Sequence, residues 1–420
     1  MNFPFYLAKH FYRGSGKDTS RRRASVPAVR IATAGIALGL AVMLISVGIV
    51  RGFKGEINKK LSGFSAHAEL VDIRSFSSPE AYSVRPDSLL AASVCRANGV
   101  EHIQRFAEKM GVLKTEADFQ AVLLKGLSPE YDTSYLQTAI VSGELPNMAD
   151  SASQNKIVIS ETQANALNLK VGDRVFAYFF EENVKMRRFT IAALYQTNVK
   201  QYDRNIVLVP MQTVQRLNGW TDEEVSGLEI FSDQKEDLNV WTTGLREAVM
   251  PFLYGHNDEE LAVLSLQENP RTMQVVSWLS LLDMNIWLIL ALVALVAIFS
   301  MSAGLLILIL ERTSDVGLLR ALGSTNTRIR HAFLYYAAFI VLKGLLIGNL
   351  LGCGLLWLQS ATGIVQLDPS TYYVRVLPVD INVWIILLLN LGTFIITLLA
   401  LIVPSLLVSR IQPAKAIRFD

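Results

Sequence analysis

"IATAGIALGLAVMLISVGIVRGFKGE", Ile31 to Glu56, opens on twenty uncharged residues and ends with Arg51, Lys54 and Glu56. About twenty apolar residues at 1.5 Å of rise each cross a hydrocarbon core of roughly 30 Å. The run is longer than the usual ~7–15 residues of a cleavable signal core, and no small-x-small pattern precedes "RGFKGE", so it reads as a permanent anchor. Its place in the chain decides the fold. Residues 51–277 beyond it are polar and mixed, and three more apolar runs come later, Ile286–Leu310, Ala332–Leu358 and Val383–Ser409. The expected fold class is a membrane protein with four transmembrane α-helices in 1+3 order and a large α+β domain between the first two.

Composition agrees with a mixed protein. At 51% hydrophobic and 18% charged, the 420-residue chain is too apolar for an ordinary soluble enzyme and too charged to lie wholly in lipid. A net charge of +2 gives no reason to expect a nucleic-acid partner. Cys95 sits in the polar stretch and Cys353 in an apolar run, so no disulfide framework is expected.

Basic residues set the orientation. Lys9, Arg13, Lys17, Arg21, Arg22, Arg23 and Arg30 precede the first run, against Asp18 alone. Arg312, Arg320, Arg328 and Arg330 follow the second run, and Arg410, Lys415 and Arg418 the fourth. The connection 359–382 offers only Arg375 against Asp368 and Asp380. Cations collect on cytoplasmic loops. Both termini and loop 311–331 are therefore expected on the cytoplasmic side of a bacterial inner membrane, with 51–277 and 359–382 in the periplasm. The second span, 278–310, gains apolar character from Trp278 onward and is broken only by Asp283, so a stalk above the bilayer is expected. Before the first span (26–50), "NFPFYLAKHFYR" places Phe3, Tyr6, Leu7, His10 and Phe11 at helical spacing beside Lys9 and Arg13. Residues 1–25 thus read as an interfacial helix and a basic linker.

In the large domain, "NKIVISETQANALNLKVGDRVFAYFF" suggests a strand near Ile157–Ile159 and then a helix capped by Ser160 with Gln163. Arg174–Phe180 and Arg187–Gln196 suggest a hairpin joined by "EENVKM", and "AEKMGVLKTEADFQAVLLKGL" suggests another. "SGLEIFSDQKEDLNVWTTGLREAVM" reads as strand then helix. Two subdomains are expected. His67, His102 and His256 lack metal-ligand spacing, and no nucleophile or zinc motif is present, so no catalytic or metal residue is assigned. "RGSGKDTS" (13–20) has Phe11 where a phosphate loop needs glycine and Asp18 where it needs Ser or Thr. No nucleotide cofactor is expected on this chain.

Between the second and third spans lies "ERTSDVGLLRALGSTNTRIR" (Glu311–Arg330). Ser314 is expected to cap a short helix Asp315–Leu322, with Val316, Leu318, Leu319 and Leu322 apolar and Gly323 stopping it in the left-handed region. That apolar side either packs on the span ends or fills a groove in another protein. Inside the spans, Lys343 is costly in lipid, on the order of 2.5–3.5 kcal/mol, and an interior role is expected for it. Gly344, Gly348 and Gly352, with Gly35 and Gly39 on the first span, suit close helix packing.

These residues carry a resemblance. "ERTSDVGLLRALGST" resembles the "E-x-x-x-E-I-G-x-L-R-A-L-G-A" signature of permeases in the FtsX/MacB class of ABC transporters, with Asp315 for Glu and Val316 for Ile. "PSLLVSRIQPAKAIR" is similar to that family's ending. "ATAGIALGLAVMLISVGIVRGFKGEINKKLSGFSAHAEL" and "FTIAALYQTNVKQYDRNIVLVPMQTVQRL" resemble the LolC/LolE-type lipoprotein-releasing permeases. The resemblance implies a non-catalytic permease subunit with a MacB-like periplasmic domain, paired with a second copy or a paralogue. Residues Glu311 and Asp315 to Gly323 (Asp315, Val316, Gly317, Leu318, Leu319, Arg320, Ala321, Leu322, Gly323) would form the coupling site for separate ATPase subunits, which would hold ATP and Mg. Cargo would be a triacylated lipoprotein moved by mechanotransmission and handed to a periplasmic carrier, although "EENVKM" is too short for a carrier-capturing hook. A MacB-like exporter, an FtsX-like regulator of a periplasmic hydrolase and a lone receptor are the alternatives.

Overall fold

Among the described residues of this computed structural model, four helices are long and apolar enough to cross a membrane: Val29–Phe64, Met273–Glu311, Asn326–Thr362 and Val383–Ser405. The structure describes residues 4–8, 25–77, 82–86, 88–116, 118–180, 184–233, 238–253 and 260–406. The chain divides into a membrane unit (Met1–Lys54, Leu281–Gln366, Val376–Asp420) and an outer unit (Gly55–Ser280, Leu367–Arg375).

The first helix runs from Ser25 to Phe64, well past the expected Val50. Its sequence explains the extension. Phe53, Ile57, Leu61 and Phe64 continue an apolar stripe at helical spacing, and all four are buried. The fourth span breaks at Leu401, between Val383–Ala400 and Ile402–Ser405. Pro404 lacks the N–H that would bond the Ala400 carbonyl, and its ring crowds that carbonyl. Residues 407–420, with most of the family-like ending, lie outside the described residues.

Small residues set the packing within the membrane unit. A Cβ on Gly344 would lie 2.8 Å from Ile36 Cγ2, one on Gly348 2.7 Å from the Ala37 carbonyl oxygen, and one on Gly352 3.0 Å from Leu44 Cδ1. The third span therefore lies directly on the first. On another side of the first span, a Cβ on Gly35 would lie 2.6 Å from Ser300 Oγ and one on Gly39 3.3 Å from Val293 Cγ1 of the second. Helices without a hydrophobic drive between them gain dispersion contact by such close approach.

The outer unit is built on one ten-stranded sheet. Its strands are β1 (Ala68–Asp72), β2 (Val100–Lys114), β3 (Phe119–Leu127), β4 (Ile140–Gly143), β5 (Lys156–Ser160), β6 (Arg174–Phe179), β7 (Lys185–Tyr195), β8 (Ile206–Pro210), β9 (Gly227–Ser232) and β10 (Leu261–Ser265). Both expected hairpins form, β2–β3 and β6–β7, each antiparallel. Strand β7 begins at Lys185, so "EENVKM" shortens as a link, and residues 181–183 lie outside the described ones.

Strand β2 is the shared member of two substructures. Its first half joins the antiparallel order β10–β1–β9–β2. Helices Ser88–Arg96 and Leu238–Leu253 pack there, placing Leu90, Val94, Trp241 and Leu245 in one apolar cluster with Leu70 and Ile230. Its second half pairs with β6, and the pairings β2–β3–β8–β5–β7–β6–β2 close a ring of six strands. A second cluster, including Leu113, Val122, Val175, Phe179, Phe189 and Ile191, belongs to that ring. One continuous sheet thus carries two separate apolar cores. Closure also removes open strand edges, which otherwise invite pairing with foreign chains.

Candidate coupling site

The second span ends at Glu311, which is exposed, and a new helix, Thr313–Ala321, starts after a single turn residue. The expected start moves back from Asp315, and Ser314 is not the cap. Arg312 holds the N-cap without a side-chain cap bond. Two helices separated by one residue leave no room for an extended Ser cap. Instead, the Thr313 hydroxyl donates back to the Leu310 carbonyl (2.7 Å) and Arg312 Nη1 donates to Asp315 Oδ2 (2.9 Å).

The far end is closed by backbone bonds. Gly323 N–H donates to the Arg320 carbonyl (2.9 Å) and Ser324 N–H to the Leu319 carbonyl (3.0 Å). Gly323 takes φ +89°, the left-handed conformation this double cap requires. The Arg320 guanidinium donates to Asn326 Oδ1 in the first turn of the third span. Both ends of the short helix are therefore tied to the spans beside it.

The expected apolar side divides in two. Val316 is fully buried, Gly317 is buried and Leu319 packs in a cluster with Leu308, Ile309, Ile329 and Phe333. Ala321 is exposed, and Leu318 and Leu322 stand 59% and 75% exposed, one helical turn apart. Val316 and Leu319 thus pack on the span ends, while Leu318 and Leu322 stay uncovered on the other side. Near the same cluster, residues 4–8 are helical, with Ala8 buried and Phe5 packed 5.9 Å from Tyr335 and 5.7 Å from Phe339, ring to ring. Phe3, Lys9, His10, Phe11 and Arg13 lie outside the described residues.

Two polar residues of the spans, Lys343 and Asp283, take definite places. Lys343 lies on an exposed face of the third span beside Leu342 and Leu346, so its own bundle does not enclose it. The glycine ridge decides this, because it turns the side of Gly344, Gly348 and Gly352 toward the first span and leaves Lys343 outside that contact. Asp283 is paired, with Lys54 Nζ donating to its Oδ2 at 2.5 Å. Other pairs escaped sequence reading. Asn349 and Asn390 exchange amide hydrogen bonds of 2.7 and 2.9 Å between the third and fourth spans. Arg51 bonds Asp380 at 3.2 Å. Mid-span asparagines are a visible signal, but only packing shows which two meet. Among the described residues, no group of His, Cys, Asp or Glu has the makings of a metal site.

Comparison with known proteins supplies the family. The model of the MacB-like periplasmic core domain matches residues 31–242, and that of the FtsX-like permease C-terminal matches 287–413. The chain is 24% identical over 410 residues to the lipoprotein-releasing system transmembrane protein LolC of Xylella fastidiosa, covering 92% of both chains. It is 21% identical over 447 residues to LolE of Haemophilus influenzae, covering 99% of both. The crystal structure of the periplasmic region of MacB from Actinobacillus actinomycetemcomitans aligns with 49% of this chain and 91% of that one, at 13% identity and a TM-score of 0.34. With a MacB-like periplasmic core domain ahead of an FtsX-like permease domain, the chain belongs to the FtsX/MacB class of ABC transporter permeases.

Proposed function

We propose that this chain is one half of an inner-membrane transporter that draws triacylated lipoproteins from the outer leaflet for delivery toward the outer membrane. Separate cytoplasmic ATPase subunits supply the energy, and a second copy or a paralogue completes the permease. Both termini and the helix Thr313–Ala321 face the cytoplasm. The observation that carries this reading is the bare Leu318–Leu322 pair on a helix tied at both ends. Burying a leucine contributes about 1.5–3 kcal/mol. Two on one face therefore give a partner both affinity and a fixed grip. ATP binding would shift this helix, and the unbroken helix Met273–Glu311 would carry the displacement outward. Such coupling requires the ATPase to bind two states of the permease unequally. The LolC and LolE likeness over almost the whole chain supports the lipoprotein cargo.

The test is copurification from membranes. Wild type should bring down an ATPase subunit and triacylated lipoproteins. Leu318→Asp with Leu322→Asp, and separately Arg320→Glu, should lose the ATPase while inserting normally. Recovery of wild-type amounts of ATPase with both variants overturns the docking assignment. Bound ATPase without any lipoprotein overturns the cargo.

A further inference from the structure

The face of the outer sheet opposite its apolar clusters holds charge. Glu69 on β1 stands opposite Glu229 on β9, which stands opposite Gln104 on β2. One strand over, Lys125 of β3 stands opposite Glu108. Alternation along each strand puts these side chains on the side away from Leu70, Leu228 and Leu124. Lys125 Nζ bonds Glu229 Oε1 at 2.5 Å, with the side chains only 5% and 1% exposed. Gln104 Nε2 donates to the other Glu229 oxygen at 2.8 Å.

A buried ion pair is a weak source of stability, because desolvation offsets much of its attraction. Its worth lies in what it holds. Lys125 Nζ also donates to the carbonyl of Phe64 (2.8 Å), the last residue of the first long helix, and sits 5.6 Å from the Phe64 ring. The terminal carbonyls of a helix lack partners within it, and here a buried ammonium supplies one. Glu69 is bonded on both sides. Ser65, just past the first helix, donates its hydroxyl to Oε1 (2.6 Å), and Asn269 donates its amide to Oε2 (2.8 Å). The Asn269 carbonyl in turn accepts the N–H of Met273, where the second long helix begins. Arg271, between them, grips both oxygens of Glu108 at 2.6 and 2.5 Å. Burial pushes the Glu69 carboxyl up, with Arg271 pulling it back. Glu69 thus meets, from one strand, residues next to both long helices.

We infer that Glu69, Glu229 and Lys125 form a rigid joint locking the outer ends of both long helices to one sheet, and that these are positioning residues through which helix displacement becomes movement of the outer domain. The inference rests on the permease reading above. In Glu69→Leu both acceptors are lost at similar side-chain volume, so both ties are cut without opening a cavity.

The test uses the full permease with its ATPase subunits in lipid nanodiscs and a dye-labelled triacylated lipopeptide. Glu69→Leu should assemble and hydrolyse ATP as wild type does, while lipopeptide released per ATP falls about tenfold, within the usual range of coupling between sites. A merely structural role would lower the melting temperature and leave that ratio alone. An assembled variant with wild-type release per ATP overturns the inference and spares the permease reading. Should the variant not assemble, hydrogen exchange of Ala68–Val71 in the wild type decides. Equal protection with and without ATP supports a rigid joint, and opening on ATP overturns it. A wild-type complex with no ATP-dependent release overturns both.

Discussion

His67 resists protonation. Its Nδ1 accepts the Ser232 N–H at 3.1 Å, and its ring stands edge-on to Phe231, on which His102 stacks at 4.2 Å. Burial, and then the charge of His102, lower its pKa to about 4. The unfolded chain takes up this proton near pH 6.5, but the folded one only near pH 4. Stability is therefore unaffected above pH 6.5 and falls as pH drops from there to about 4, by up to about 3 kcal/mol. Urea unfolding of the detergent-solubilised chain at pH 7, 5.5 and 4.5 should show that slope, and His67→Asn should flatten it. A parallel slope in the variant would mean another group is responsible. Legibility at this scale depends on range. The Ser160–Gln163 capping box is plain from sequence and forms fully, since both partners lie within one turn. Ser314 misleads because its role depends on how tightly the second span abuts the next helix.

Among elements, the contact between first and third spans is the most exacting. Gly348 faces backbone, the Ala37 carbonyl oxygen, which cannot swing aside as a side-chain tip can. Gly348→Leu should part the two helices and destabilise the chain by about 1–3 kcal/mol, the usual overpacking range. Gly354→Leu, where a Cβ meets nothing within 4 Å, is the control and should be neutral. Thermal melts followed by size exclusion would compare them, and equal midpoints would remove the tight interface. The glycine spacing is legible because period and residue size lie in the sequence. Which helix faces the ridge is not, and the bare position of Lys343 results from that facing.

Over the whole molecule, orientation makes Cys95 and Cys353 useful reporters. Cys95 is exposed in the outer unit, and Cys353 lies half-buried within the third span. A membrane-impermeant maleimide should label Cys95 in spheroplasts. Labelling only after lysis would reverse the assigned topology. The connection between the third and fourth spans reads as a bare loop, yet its tip, Leu367–Arg375, belongs to the outer unit. There the Tyr373 carbonyl accepts Lys60 Nζ at 2.8 Å and the Tyr373 ring lies 6.0 Å from that of Trp278. No local pattern marks such a contact, because its partners are separated by about a hundred residues or more.

The sequence by itself determined the four spans, the inserted domain, its hairpins and the short helix between the second and third spans. These result from hydrophobic period, turn chemistry and caps, all set within a few residues. Tertiary structure alone decided that six strands close into a ring, that two asparagines pair in the membrane, that Leu318 and Leu322 stay bare while Val316 is buried, and that Lys125 meets Glu229 beneath both helix ends. Those outcomes rest on pairings between distant segments, and the energy of a buried polar group depends on which partner the fold brings to it.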